Sequence, residues 1–181
     1  CKNPNTTLQI IEENPELPWD WLEISCNPNV TFEFVIKHKD KLWDWAMLSL
    51  NKNITFDIIK NNLNIRWNWY YISSNPNITF DIINENPNYL WDWSVLSKRD
   101  DLTWDIILKN FNEKLNWFHI SSHKNITFDI IKNNLDKPWN WYGVSSNPNI
   151  NLQIILENNK FPWSWNLVSS NNSVTLEIIE K

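Results

Sequence analysis

Glycine is almost missing from this sequence: of 181 residues, only Gly143 is one. Gly-rich phosphate loops and dinucleotide fingerprints need several glycines at fixed spacing, so nucleotide sites of those kinds are excluded. Cysteine is nearly as scarce. Cys1 and Cys26 sit at inequivalent offsets, which excludes a disulfide framework and is simplest as two free thiols in a reducing compartment. No apolar run approaches the roughly 20 residues that cross a bilayer, and no signal-like segment opens the chain, so a membrane partner is not expected. Basic residues number 16 against 21 acidic ones, a net charge of −5 that argues against a nucleic-acid backbone as partner. With 42% hydrophobic residues the chain can bury a sizeable core, so disorder is excluded as well.

What is abundant is tryptophan, 14 residues, and it is periodic. Trp-x-Trp occurs at Trp19/Trp21, Trp43/Trp45, Trp67/Trp69, Trp91/Trp93, Trp139/Trp141 and Trp163/Trp165, with Leu115/Trp117 at the remaining place. A second motif, fullest as Asn75 to Ile83, carries a marker at Thr7, Thr31, Thr55, Thr79, Thr103, Thr127, Asn151 and Thr175. Both columns step by 24 residues without insertion, so the chain is an array of about seven and a half repeats, read as one domain over residues 1–181. It begins and ends inside the motif and is expected to be part of a longer protein.

Each unit reads as two short helices. The first is expected to start at the threonine, with Thr31, Thr55, Thr79, Thr103, Thr127 and Thr175 as N-caps and an acidic residue such as Asp81 in the first turn. Ile78 and Ile83 stand at the two positions of a hydrophobic staple, and this helix should end at an asparagine in the left-handed conformation, Asn86 and its equivalents Asn14, Asn62, Asn110, Asn134 and Asn158. The second helix should carry both tryptophans, be capped by Asp40, Asn64, Asn88, Asn112 and Asp136, and run to the column Ser25, Ser49, Ser73, Ser97, Ser121, Ser145 and Ser169. Asn-Pro then stops it. Helices of about two turns are unstable alone and persist only by stacking on their neighbours. The expected fold is therefore an all-α solenoid of two-helix repeats, with 3₁₀ geometry open for one of the two helices.

The second tryptophan of each pair, Trp in all seven units, is expected to be core: Trp21, Trp45, Trp69, Trp93, Trp117, Trp141 and Trp165. The first column, interrupted by Leu115, is expected to be core as well, with room for partial exposure. The polar residues between them, Asp20, Asp44, Asn68, Asp92, Asn116, Asn140 and Ser164, read as a solvated stripe. Glu33, Asp57, Asp81, Asp105, Asp129 and Glu177 read as helix-dipole partners rather than an acidic ladder.

No catalytic, cofactor or metal residue stands out. A periodic pattern is the opposite of a singular active-site constellation, neither acidic column pairs a raised carboxyl with an ionised one, and His119 and His123 lack a further ligand at metal spacing. Asn5, Asn29, Asn53, Asn77 and Asn125 head Asn-x-Thr and Asn171 heads Asn-x-Ser. They are read as accidental to a threonine cap rather than as glycan sites. In repeat proteins constant columns hold the scaffold and variable ones face partners. The two variable positions after the second Trp therefore nominate Tyr70, Tyr71, Phe118, His119 and Tyr142 as the contact surface.

The string Asn147-Pro148-Asn149-Ile150 and its sisters, with Trp-x-Trp and Ile-Ile at fixed offsets, resembles the short Trp/Asn-rich repeats of giant amoebal DNA viruses (Mimivirus-like). The period and the Asn-Pro-x-x-Thr turn are similar to the leucine-rich repeat variant, which implies a right-handed superhelix. The expectation is a non-enzymatic scaffold that binds a viral or host protein in the host cytoplasm, the viral factory or the virion. The alternative is a virion structural or genome-packaging component. Single-stranded nucleic acid on exposed aromatics is the weaker alternative, and no small molecule or cofactor is expected.

Overall fold

The computed structural model describes residues 5–110 and 115–173, so Cys1, Asn112, Thr175 and Glu177 lie outside the described residues. Fourteen short α-helices and no strand occur among the described residues. The odd-numbered helices are α1 (Leu8–Glu13), α3 (Phe32–Lys37), α5 (Phe56–Asn61), α7 (Phe80–Glu85), α9 (Trp104–Lys109), α11 (Phe128–Asn133) and α13 (Leu152–Glu157). The even-numbered ones are α2 (Trp21–Ile24), α4 (Trp45–Leu50), α6 (Trp69–Ser74), α8 (Trp93–Leu96), α10 (Trp117–Ser121), α12 (Trp141–Ser145) and α14 (Trp165–Val168). Both kinds are α-helical rather than 3₁₀. The fold is an all-α repeat solenoid, and the chain divides into two compact units, Cys1–Asp92 and Trp93–Lys181.

The odd helices follow from the threonine column. Thr79 Oγ1 accepts the Ile82 N–H at 3.3 Å, and Thr7, Thr31, Thr55, Thr103 and Thr127 do the same for the residue three places on. Asn151 replaces the hydroxyl with Oδ1, which accepts from Ile154 N at 2.9 Å. The staple pairs Ile54/Ile59, Ile78/Ile83 and Ile126/Ile131 are all buried, as are Val30/Val35, Leu102/Ile107 and Ile150/Ile155. Burying two such side chains per helix supplies several kcal/mol at the usual coefficient, which short-helix nucleation alone cannot.

The C-terminal asparagines are not left-handed. No described non-glycine residue has positive φ, and Asn62 sits at φ −134°. Its side chain instead folds back, Nδ2 donating to Ile58 O at 2.8 Å, and Asn14, Asn86, Asn110, Asn134 and Asn158 repeat the bond. His38, standing in the same column, places Nδ1 3.0 Å from Phe34 O. A carbonyl can only accept, so that nitrogen carries the proton.

The second helix begins later than the sequence pattern suggests. Asp20, Asp44, Asn68, Asn116 and Asn140, between the tryptophans, are its N-caps. Asn68 Oδ1, for example, accepts from Tyr71 N at 3.2 Å. Asp40, Asn64, Asn88 and Asp136 are not caps, because a three-residue turn separates them from the helix: Trp67 N donates to Ile65 O at 2.9 Å, and Trp43, Trp91, Trp139 and Trp163 repeat it. The first Trp therefore lies outside the helix, and the two indoles are not arranged as residues two apart on a helix would be.

This exchanges the roles of the columns. Trp43, Trp67, Trp91, Trp139 and Trp163 are buried, whereas Trp21, Trp45, Trp69, Trp93, Trp117 and Trp141 are half-buried and Trp165 is 61% exposed. The first column wins because its indole N–H finds a backbone acceptor: Trp67 Nε1 donates to Asn62 O at 2.9 Å, and Trp19, Trp43, Trp91, Trp139 and Trp163 make the equivalent bond. The second column closes over it edge-on, in the pairs Trp21–Trp43, Trp45–Trp67, Trp69–Trp91, Trp117–Trp139 and Trp141–Trp163, with centroids 5.1–5.5 Å apart. Each even helix buries an aliphatic side chain almost completely: Ile24, Leu48, Ile72, Leu96, Ile120, Val144 and Val168.

Candidate functional site

Two polar columns that look like reactive groups are consumed in joining one repeat to the next. The buried Ser49 hydroxyl donates to Trp45 O at 2.6 Å and accepts from Asn68 N of the following repeat at 3.0 Å. Ser25, Ser73 and Ser145 make the same pair of bonds, and Ser97 does so onto Asn116 N. The Asn of Asn-Pro-Asn forms a buried ladder. Asn75 Nδ2 donates to Ser49 O (2.9 Å), Asn51 O (3.1 Å) and Ile54 O (3.3 Å) of the preceding repeat, while its Oδ1 accepts from Asn77 N at 2.9 Å. Asn147 does the same onto Ser121, His123 and Ile126. In the sequence these residues read as helix stops. The signal that could have found the ladder was an Asn in five of seven units, kept at Asn51 and Asn171 where no proline follows.

The sequon asparagines belong to the same system. Asn53 Nδ2 donates to Pro28 O and Val30 O, Asn77 Nδ2 to Lys52 O, and Asn125 Nδ2 to Asp100 O and Leu102 O. Every buried side-chain nitrogen and oxygen among the described residues has a hydrogen-bond partner. Among those residues no group of three His, Cys, Asp or Glu is placed to hold a metal ion, Cys26 is a free exposed thiol, and no helix is long and apolar enough to cross a membrane.

The variable positions behave differently. The residue after the second Trp points outward: Tyr70 is 54% exposed, Tyr142 53% and Phe118 40%. The next one, Tyr71 or His119, is half-buried, and its ring meets its neighbour's edge-on, at 5.2 Å for Tyr70–Tyr71 and 5.4 Å for Phe118–His119. Tyr70 and Tyr71 lie in the first unit, and Phe118, His119 and Tyr142 in the second. In the second unit α10 packs on α12, which brings Phe118 and Tyr142 to equivalent places on adjacent helices. Gly143, in the same variable pair as Tyr142, is buried. A Cβ there would stand 2.5 Å from Phe118 O.

An open depression lies at the same register in each unit, and in the second it is lined in part by His119. In the first unit it is about 240 Å³ and lined by Cys26, Pro28, Met47, Leu50, Asn51 and Lys52, with Ser25. In the second it is about 250 Å³ and lined by Lys98, Asp100, His119, Ser122, His123 and Lys124, with Pro148. Each of the first six pairs is three repeats apart in sequence, so one backbone feature carries Cys26, Met47 and Leu50 in one unit and Lys98, His119 and Ser122 in the other, with a lysine, Lys52 or Lys124, at the same place in both.

The second depression forms where the repeat departs from itself. Arg99 replaces the ladder asparagine and holds Asp101 through two bonds, 2.9 and 2.6 Å. His123 replaces the next one, and its ring nitrogens take over both asparagine roles: Nδ1 accepts from Asn125 N at 3.1 Å and Nε2 lies 2.9 Å from Arg99 O. Lys124 holds Asp100 at 2.7 Å, and this bond with the nearby ammonium charge keeps the Asp100 carboxyl below its ordinary range. Burial first, and the Lys98 ammonium second, push the His119 imidazole below its ordinary value. No family model, no curated protein and no solved structure matches the chain.

Proposed function

We propose that this chain is a non-enzymatic repeat scaffold that binds another protein along the outer ends of its even-numbered helices. One observation carries the reading. The constant polar columns are spent on inter-repeat bonds, whereas the variable positions Met47 and His119 line a depression that recurs at one register with different linings. Exposed aromatics beside a concave surface are the residues that anchor protein interfaces, because they bury large area at little conformational cost. On the resemblance to giant-virus repeats, the partner would be a viral or host protein.

The test is affinity capture with the full chain and with a Phe118→Ser/Tyr142→Ser variant, whose changes fall on exposed side chains. The expected result is a defined protein held by the parent chain and lost by the variant. Retention of the same protein by the variant overturns the assignment of this surface. Salt-sensitive retention of nucleic acid in place of a protein overturns the scaffold reading itself.

A further inference from the structure

We propose that the second-unit depression receives a carboxylate side chain from an acidic segment of the partner protein, with the Lys98 ammonium as its counter-charge. The inference rests on the scaffold reading and narrows it to a partner chemistry. Three observations support it. First, the charge is not required by the fold: the equivalent depression forms with Cys26, Met47 and Leu50 where this one has Lys98, His119 and Ser122. Second, the neighbouring charges neutralise one another. Lys124 pairs with Asp100 and Arg99 with Asp101, while Lys98 has no carboxylate partner among the described residues. A cation on a concave rim of a chain with net charge −5 is a local exception to the protein's field. Third, that charge reaches the lining, since it acts on the His119 imidazole. The exposed Phe118 ring beside His119 supplies an apolar shelf for a residue next to the acid.

An extended polyanion fits less well. Nucleic-acid affinity comes from neutralising many phosphates at once, and at this depression Lys98 alone lacks a carboxylate partner among the described residues.

The probe is a fluorescein-labelled dodecapeptide of alternating Glu and Leu, with a Gln-for-Glu version and labelled oligo-dT as comparators, followed by anisotropy with the full chain. The Glu peptide is expected to bind and to weaken as salt is raised. The Gln peptide should bind about tenfold more weakly or worse, and Lys98→Glu should weaken the Glu peptide by at least about tenfold. Lys39→Glu, an exposed change in the first unit, should leave binding unaltered. Lys98→Gln serves as the second variant and should give a smaller loss in the same direction. No measurable binding of the Glu peptide, equal affinity for the Gln peptide, indifference to both Lys98 variants, or oligo-dT binding as tight as the peptide's each overturns the proposal. If the captured partner is retained by Lys98→Glu, the carboxylate assignment falls while the scaffold reading stands. Failure of the parent chain to hold any protein is the separate failure of that reading.

Discussion

The indole of Trp91 meets that of Trp69 edge-on across a repeat boundary, with centroids 5.2 Å apart and planes at 86°. Trp91 is the inner partner: buried, bonded through Nε1 to Asn86 O, and tilted against Phe56 at 5.7 Å. Truncating it leaves a cavity and an unmatched carbonyl, so Trp91→Ala is expected to cost about 3–5 kcal/mol. Trp69→Ala removes a half-buried ring and is expected to cost at least about 1 kcal/mol less. Urea midpoints of the two variants check this, and the opposite ranking would return the second column to the core.

The period, the all-α class and the threonine caps are legible in the sequence because each follows from local chemistry at a fixed offset. Thr79 needs only its own hydroxyl and the amide three residues on. The tryptophan assignment fails because it assumes one continuous helix through Trp-x-Trp. Asp, Asn or Ser immediately precedes the second indole in all seven units, the residue set that caps helices, and that column marks the boundary. The Ser49–Asn68 and Asn75–Asn51 bonds are harder to read, since their partners lie 19 and 24 residues away and only stacking brings them together. The candidate surface is legible as variability, but the depression beside His119 is a property of two packed repeats and has no local signature.

Asn75 is the sharpest test of the ladder. Asn75→Ala strips the donor from three buried carbonyls and the acceptor from Asn77 N, and should cost about 2–4 kcal/mol at roughly 1–3 per orphaned group after partial relaxation. Asn75→Asp keeps the acceptor but aims a carboxylate oxygen at those carbonyls, and should cost more than alanine. Chemical denaturation of both variants decides it. A loss under about 1 kcal/mol for both would mean that water replaces the amide.

His123 should be exchangeable for the residue it imitates. His123→Asn restores Nδ2 and Oδ1 to the positions now filled by Nε2 and Nδ1, and is expected to change stability by less than about 1 kcal/mol. His123→Ala leaves Asn125 N and Arg99 O without those partners and should cost about 2 kcal/mol or more. Equal losses for the two variants would show that the imidazole contributes volume rather than hydrogen bonds.

Gly143 carries the close approach of α12 to α10. Alanine has the higher helix propensity by roughly 1 kcal/mol, so an unconstrained site would gain from Gly143→Ala. Here the new methyl meets the Phe118 carbonyl oxygen at 2.5 Å and Ser121 Cβ at 3.0 Å, both on a packed helix. Net destabilisation of about 1–3 kcal/mol is expected, read as a lower thermal midpoint. A raised midpoint would show that the two helices separate without cost.

His119 gives the charge of Lys98 a direct readout. The imidazole is expected to titrate below its ordinary 6.5, and because burial is the larger cause, Lys98→Gln should return only the smaller part of the shift. With the folded value depressed, the unfolded chain binds the proton first. The stability linked to His119 is therefore full above pH 6.5 and declines as pH falls from there toward the folded value. Imidazole proton shifts followed by NMR across that window, in the parent chain and in Lys98→Gln, measure both statements. An identical midpoint in the two proteins would place the ammonium too far from the ring to serve as the counter-charge of the depression.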